Sequence, residues 1–310
     1  MTAAVRVERL SHHYGRRQAL ADLSLAVDEG EVFVFLGPNG GGKTTLFRVL
    51  STLVPAQTGR VEVLGRSLPA EADEVRADIG VVFQSPSLDK KLTVSENLRC
   101  QAALYGLGAA EARRREAEML AQLGVADRAG ELVETLSGGL RRRVELAKSM
   151  LHSPRLLLLD EPSTGLDPGA RSDLWRYLRR LREEHGVTIV LTTHLLEEAE
   201  RADRIAILNE GSLVALDTPD ALRASVGGDS ITIESDQPDA LAEDIRRRFE
   251  AAATVVDGAV RLEAPEGHAW IPRLMEAFPD RIAAIRLGKP TLEDVFIEKT
   301  GHRFWRPESE

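Results

Sequence analysis

Gly37-Pro38-Asn39-Gly40-Gly41-Gly42-Lys43-Thr44-Thr45 follows the apolar run Val32-Phe33-Val34-Phe35-Leu36 and precedes Leu46, Val49 and Leu50, which share one face of a helical period. The stretch fits G-x-x-x-x-G-K-[ST] in the strand–loop–helix setting that this phosphate-binding loop requires. Glycines let successive backbone N–H groups approach an anion without Cβ clashes, and the helix opening near Lys43 adds its positive end. The cradle residues are Gly37, Asn39, Gly40 and Gly42; Lys43 brings a point charge to β/γ-phosphates, Thr44 a hydroxyl to Mg²⁺, and Thr45 is placed for the α-phosphate. By itself the loop says that the chain binds a nucleotide, and nothing of the use to which the nucleotide is put.

The chain has 310 residues, enough for two domains. Its formal charge of −9 argues against broad electrostatic binding to nucleic acid or anionic lipid. Cys100 is the only cysteine, so no intramolecular disulfide forms and a cysteine zinc site is excluded. No apolar run approaches the ~20 residues of a membrane helix. Action at a membrane therefore requires another chain to cross it.

Period and punctuation divide the chain. Strands are expected at 5–10, 18–27, 32–36, 60–64 and 79–83, with a loop at 11–15. Residues 93–151 read as helices, opened by the capping box Thr93-Val94-Ser95-Glu96, and Arg113-Arg114-Arg115 reads as a solvated face. Strands resume at Leu156–Leu159 and at 188–192, Asp167-Pro168 opens a helix, and a hairpin turns at 209–211. Residues 226–230 read as a linker. The order β-α-β-β-α-β comes after it, with Asp257-Gly258 as a hairpin turn, and then a last helix over 291–299. From Asp229 on, 17 acidic side chains face 11 basic ones, which disfavours a nucleic-acid-binding tail.

Leu156–Leu159 delivers Asp160 and Glu161, two carboxylates at a strand's C-terminal end, where open α/β sheets bind ligands. One carboxylate can hold Mg²⁺, usually through water, and the next can act on an attacking water. With Leu136-Ser137-Gly138-Gly139-Leu140, Gln84, Ser163-Thr164-Gly165-Leu166-Asp167, His194 and Tyr14, in that family's order and near its spacing, residues 3 to about 225 resemble the ATP-binding subunits of ABC transporters. The ending Pro290-Thr291-Leu292-Glu293-Asp294-Val295-Phe296-Ile297-Glu298-Lys299-Thr300-Gly301 resembles the daunorubicin-resistance type, which pairs with an ABC-2 type permease; Pro86–Asp89 and Leu92–Val94 are similar to that branch too.

The resemblance implies an α/β P-loop NTPase cassette over 1–226: a RecA-like core, an antiparallel β subdomain and a helical subdomain at about 86–152. A small ferredoxin-like α+β accessory domain over 229–310 would serve dimerisation or regulation. It implies ATP and Mg²⁺, with Thr44, Gln84 and Asp160 toward the metal, Glu161 as general base, His194 at the γ-phosphate and Tyr14 on the adenine. Ser137, Gly138 and Gly139 would cap the γ-phosphate held by a second ATP-binding subunit, with Asp167 in the D-loop, so the partners are a second copy in a homodimer and a separate membrane permease. Work would be done at the cytoplasmic face of the cell membrane, in export of a drug or other amphipathic molecule. A soluble ABC ATPase acting on ribosomes or DNA is the second reading, disfavoured by the single unbroken cassette and the acidic tail. Two departures stand out: Leu140 replaces the signature's usual glutamine, and Gly41 stands where Ala or Ser is commoner.

Overall fold

The computed structural model describes residues 2–304. Residues 1 and 305–310, the outer ends of the two expected domains, lie outside the described residues. Contacts divide the chain into two compact units between Leu213 and Val214, ahead of the linker expected at 226–230.

Alternating burial builds the first sheet. β1 (Ala3–Tyr14) and β2 (Arg17–Asp28) pair antiparallel, burying Val5, Val7, Leu10, Leu20, Leu23 and Val27. The loop expected at 11–15 is strand as far as Tyr14, because Ser11 and His13 are held by Thr58 and Gln57. Gly15, at φ +59°, and Arg16 make the turn. β3 (Val32–Leu36) is buried at every position and feeds the glycine loop and α1 (Lys43–Leu50). β4 (Thr58–Val63) and β5 (Arg66–Leu68) complete the sheet in the order β2-β1-β4-β5. α2 (Ala72–Asp78) then leads to β6 (Ile79–Val82).

Three helices come next: α3 (Val94–Leu104), α4 (Ala109–Gln122) and α5 (Gly138–Met150). The capping box forms at Thr93 and Glu96 as expected. The arginine run of α4 is only in part a solvated face. Arg115 turns inward to the Leu151 carbonyl and Ser153, and with Arg114 it holds Glu111 down to a pKa of about 2.

β7 (Leu156–Asp160), α6 (Pro168–His185), β8 (Thr188–Thr193), α7 (Leu196–Ala199) and β9 (Arg204–Asn209) complete the core, and the division between the units falls within β10 (Ser212–Asp217). The second sheet runs β10-β9-β3-β8-β7-β6, with β3, β6, β7, β8 and β9 parallel. The continuous apolar runs of β3 and β7 are what a parallel sheet buried on both faces demands. Parallel pairing also gathers the ends of β3, β7 and β8 at one edge: Leu36 pairs with Thr193, and Asp160 with Thr192.

In the second unit, α8 (Pro219–Ser225) precedes β11 (Asp229–Glu234), α9 (Pro238–Phe249), β12 (Ala253–Val256), β13 (Ala259–Ala264), α10 (Gly267–Ala277), β14 (Ala284–Gly288) and α11 (Leu292–Thr300). Its antiparallel sheet is ordered β12-β13-β11-β14, the ferredoxin-like arrangement that the element order predicts. Asp257 and Gly258, at φ +48° and +75°, form the two-residue turn between β12 and β13. Ile231, Ile233, Leu241, Ile245, Val260, Leu262 and Leu274 fill its core. α11 buries Leu292, Val295 and Phe296, the apolar face read from its period, and is packed on α8. That packing draws α8 into the second unit.

Candidate functional site

The glycine loop has almost no slack. A Cβ on Gly37 would stand 2.3 Å from the Leu208 carbonyl oxygen, and Gly42 sits at φ +100° with its missing Cβ 2.8 Å from the Ala19 carbonyl. Gly41 is less constrained: a Cβ there would lie 3.1 Å from two carbonyl oxygens at a permitted φ, so an alanine needs a shift of only tenths of an ångström. Asn39 and Gly40 are exposed on the outer turn, and the Arg17 side chain stands over Gly40.

Lys43 is buried at 4% exposure, its Nζ donating to the carbonyls of Gly37 at 2.6 Å and Pro38 at 3.0 Å. Nζ also lies 4.0 Å from Glu161 Oε1. Burial pulls the Lys43 pKa down against the pull of the Glu161 and Asp160 charges. Thr44 and Thr45 follow in the first turn of α1, Thr44 half-buried and Thr45 buried.

The two carboxylates share one hydroxyl. Thr192 Oγ1 donates to Asp160 Oδ1 at 2.6 Å and accepts the Glu161 N–H at 3.0 Å. Burial raises the Asp160 pKa, the Thr192 hydrogen bond opposing it. Glu161 has a backbone φ of +45°, uncommon for a residue with a long side chain. Its carboxylate accepts from Gln84 Nε2 at 3.3 Å and Thr164 Oγ1 at 3.2 Å, and Oε1 is 3.1 Å from His194 Nδ1. Behind the strand end, Arg142 donates to the carbonyls of Phe83, Asp160, Glu161 and Pro162.

Lys43, Gln84, Asp160, Glu161 and His194 therefore converge at the ends of β3, β6, β7 and β8. Tyr14 ends β1, 44% exposed and edge-on to His12. Ser137 and Asp167 stand outside the cluster as helix caps: Ser137 Oγ accepts from the Leu140 N–H, and Asp167 Oδ1 from the Ala170 N–H. Gly138 and Gly139 form the first turn of α5, and Gly139 faces Ala170. Leu140 enters the cap through its backbone, which any side chain allows.

Thr164, Thr192 and Arg142 also belong to the cluster, although no sequence pattern assigns them a role there. Arg142 left one readable trace: with Glu145 it occupies the helical face that Leu146 and Ser149 bury, and charges three apart on a buried face signal an internal ion pair.

Mg²⁺ takes few protein ligands and keeps its waters. Among the described residues no three of His, Cys, Asp and Glu cluster as a metal cage. A threonine hydroxyl, a glutamine amide and an aspartate whose other lone pairs Thr192 orients fit such an ion, bound beside a nucleotide's phosphates.

A glycine cradle with its lysine, beside two carboxylates at the carboxyl edge of a parallel sheet, defines a P-loop nucleotide-binding protein. The family model described as ABC transporter matches residues 20–164, and one described as AAA domain, putative AbiEii toxin, Type IV TA system matches 132–200. The chain is 41% identical to the daunorubicin resistance ATP-binding protein DrrA2 of Streptomyces coeruleorubidus, over 97% of this chain and 96% of that one. It is 38% identical to the Nod factor export ATP-binding protein I of Paraburkholderia xenovorans, over 96% and 97%. A solved ATP-binding cassette, a dimer in a post-hydrolysis state bound to ADP and Pi, superposes with a TM-score of 0.64 at 28% identity, covering 69% of this chain and 98% of that one. The chain belongs to the ATP-binding subunits of ABC transporters, in the daunorubicin-resistance branch, and is an ATPase. No helix among the described residues is long and apolar enough to cross a membrane.

Proposed function

We propose that this subunit hydrolyses Mg²⁺-ATP with Glu161 as general base and so drives a separate ABC-2 type permease that exports a drug-like amphipathic molecule. The observation that carries the reading is the Glu161 carboxylate, aimed by Gln84, Thr164 and His194 to within 4.0 Å of Lys43 Nζ. The backbone of Gly37–Gly42 and Lys43 bind the phosphates, and Tyr14 takes the adenine. Thr44, Gln84 and Asp160 would hold the metal, which would neutralise phosphate charge when bound. Glu161 takes the proton of the attacking water, and His194 orients the γ-phosphate beside it.

Ser137, Gly138 and Gly139 present bare N–H groups at the positive end of α5 and serve the nucleotide of a second subunit. That a solved cassette of this family is a dimer supports a second subunit, a homodimer being the simplest form. The names of the curated relatives, resistance to daunorubicin and export of Nod factor, support outward transport, and with a permease partner the subunit works against the membrane's cytoplasmic face. The second unit acts as a dimerisation or regulatory module.

Glu161→Gln is the test. It keeps ATP binding and loses turnover by about a thousandfold, the scale of removing a positioned general base. Normal hydrolysis in that variant overturns the base assignment. Assembly with the permease is read by co-purification from membranes, and failure to associate with any membrane protein overturns the transport reading.

A further inference from the structure

We propose that Arg142 is a positioning residue for hydrolysis: its guanidinium holds the backbone of Glu161 in the left-handed conformation that aims the carboxylate. The inference rests on Glu161 being the base.

Arg142 is 8% exposed and lies in the second turn of α5, five residues after the Ser137 cap. Its donors are spread over one short bend of chain. Nε reaches the Pro162 carbonyl at 2.8 Å, and Nη2 reaches those of Asp160 and Glu161, each at 3.3 Å. Nη1 reaches the Phe83 carbonyl, next to Gln84, at 2.8 Å. Three consecutive carbonyls pointing at one cation require a sharp reversal at the middle residue, and that residue is Glu161, at φ +45°. The guanidinium spreads five N–H donors over a planar fork and so reaches all four carbonyls, whereas an ammonium has three donors on one atom and cannot span them.

A buried cation needs a counter-charge. Glu145, 3% exposed, supplies it, with Oε2 2.9 Å from Arg142 Nη1. Its other oxygen accepts the Ser87 N–H at 2.7 Å, and Lys148 Nζ donates to the Ser87 carbonyl at 2.7 Å. One face of α5 thus grips both backbone polar groups of Ser87 while Arg142 grips Glu161 and the residue before Gln84. The helix that opens with Ser137-Gly138-Gly139 is joined by buried hydrogen bonds to the backbone of the base, and by further ones to the loop after Gln84. A displacement of α5 reaches the Glu161 carboxylate directly, through its backbone.

The test compares Arg142→Met, which keeps length and packing without donors, with Arg142→Lys and with Leu178→Ala, a core truncation in α6 that matches the loss of stability. ATP affinity is measured by calorimetry and kcat by phosphate release, on the full chain. Arg142→Met is expected to lower kcat about a hundredfold, the cost of a roughly 1 Å misplacement, with ATP Kd changed less than about threefold. Arg142→Lys restores part of the rate, since a lysine reaches one or two of the carbonyls. Leu178→Ala keeps kcat near that of the parent. If Arg142→Met does not fold, Arg142→Lys alone carries the test, with an expected drop of about tenfold. A kcat within threefold of the parent, a loss confined to ATP affinity, or an equal loss in Leu178→Ala overturns the proposal. Glu161→Gln is assayed in parallel: retained turnover there removes the base assignment, whereas its loss beside an unaffected Arg142→Met removes only the role of Arg142.

Discussion

Thr192 lies opposite Asp160 in the parallel pairing of β8 with β7, and its hydroxyl donates to the Asp160 carboxylate at 2.6 Å. The same oxygen accepts the N–H of Glu161 at 3.0 Å. One fully buried hydroxyl therefore orients both acidic residues, and sheet register sets their geometry.

Thr192→Val keeps the shape and removes the hydroxyl. Two buried groups lose their partner, which costs about 1–3 kcal/mol. Phosphate release is expected to slow by roughly tenfold or more, because both carboxylates lose an orienting contact. Denaturant melts and steady-state assays of the same preparation check both effects.

Gly42→Ala forces a side chain into φ +100°, with its Cβ against the Ala19 carbonyl and Leu20. The strain amounts to roughly 2 kcal/mol or more. Nucleotide affinity is expected to fall by at least about tenfold, since the loop must shift and its N–H groups lose their common focus. Gly41→Ala, at a permitted φ, serves as the mild control, and equal losses in the two would contradict a role for backbone strain.

Asp294→Ala removes a buried carboxylate that caps α11 at Thr291, pairs with Arg261 at 2.8 Å and accepts from Ser230. Leaving Arg261 unpaired costs about 3 kcal/mol in the second unit. Hydrogen exchange is expected to rise through β11, β13 and α11, while ATP affinity of the first unit stays within about twofold.

His152 stacks on Tyr105, with ring centroids 3.8 Å apart, and shares a 2.9 Å hydrogen bond with the Ile79 carbonyl, which fixes Nε2 as the protonated nitrogen. Burial, reinforced by Arg115, holds its pKa below the usual 6.5. The unfolded chain then takes the proton first, so stability declines as pH drops below about 6.5 and levels off beneath the folded pKa. The slope for one proton is at most about 1.4 kcal/mol per pH unit. His152→Phe keeps the stack and is expected to flatten the difference between unfolding midpoints at pH 7.5 and 5.0.

The residues that announce the site were legible because their chemistry forces a local pattern. A phosphate cradle needs glycines and a lysine beside each other, and a buried parallel strand ending in two carboxylates can be read from the six residues 156–161. The ferredoxin-like order in the tail followed from period and from Asp257-Gly258 alone. What escaped was set by contacts distant in sequence. Ser11 and His13 extend β1 through a span that reads as loop because Thr58 and Gln57 lie beside it. β5 is three residues long and half-buried throughout, too short for any period to register. Thr164 and Thr192 are ordinary threonines until the fold brings Asp160 and Glu161 beside them. Arg142 sits in a run of three arginines, and beyond its spacing to Glu145 only its burial separates it from its neighbours.

The positive φ of Glu161 also bears on how the molecule responds to selection. Glycine adopts that conformation without steric cost, so Glu161→Gly is expected to relieve backbone strain of the order of 1 kcal/mol. It would abolish turnover at the same time. Against that relief stands the loss of the carboxylate beside buried Lys43, so position 161 sets backbone strain against charge pairing, and a thermostabilisation campaign that changes it has to score hydrolysis alongside melting.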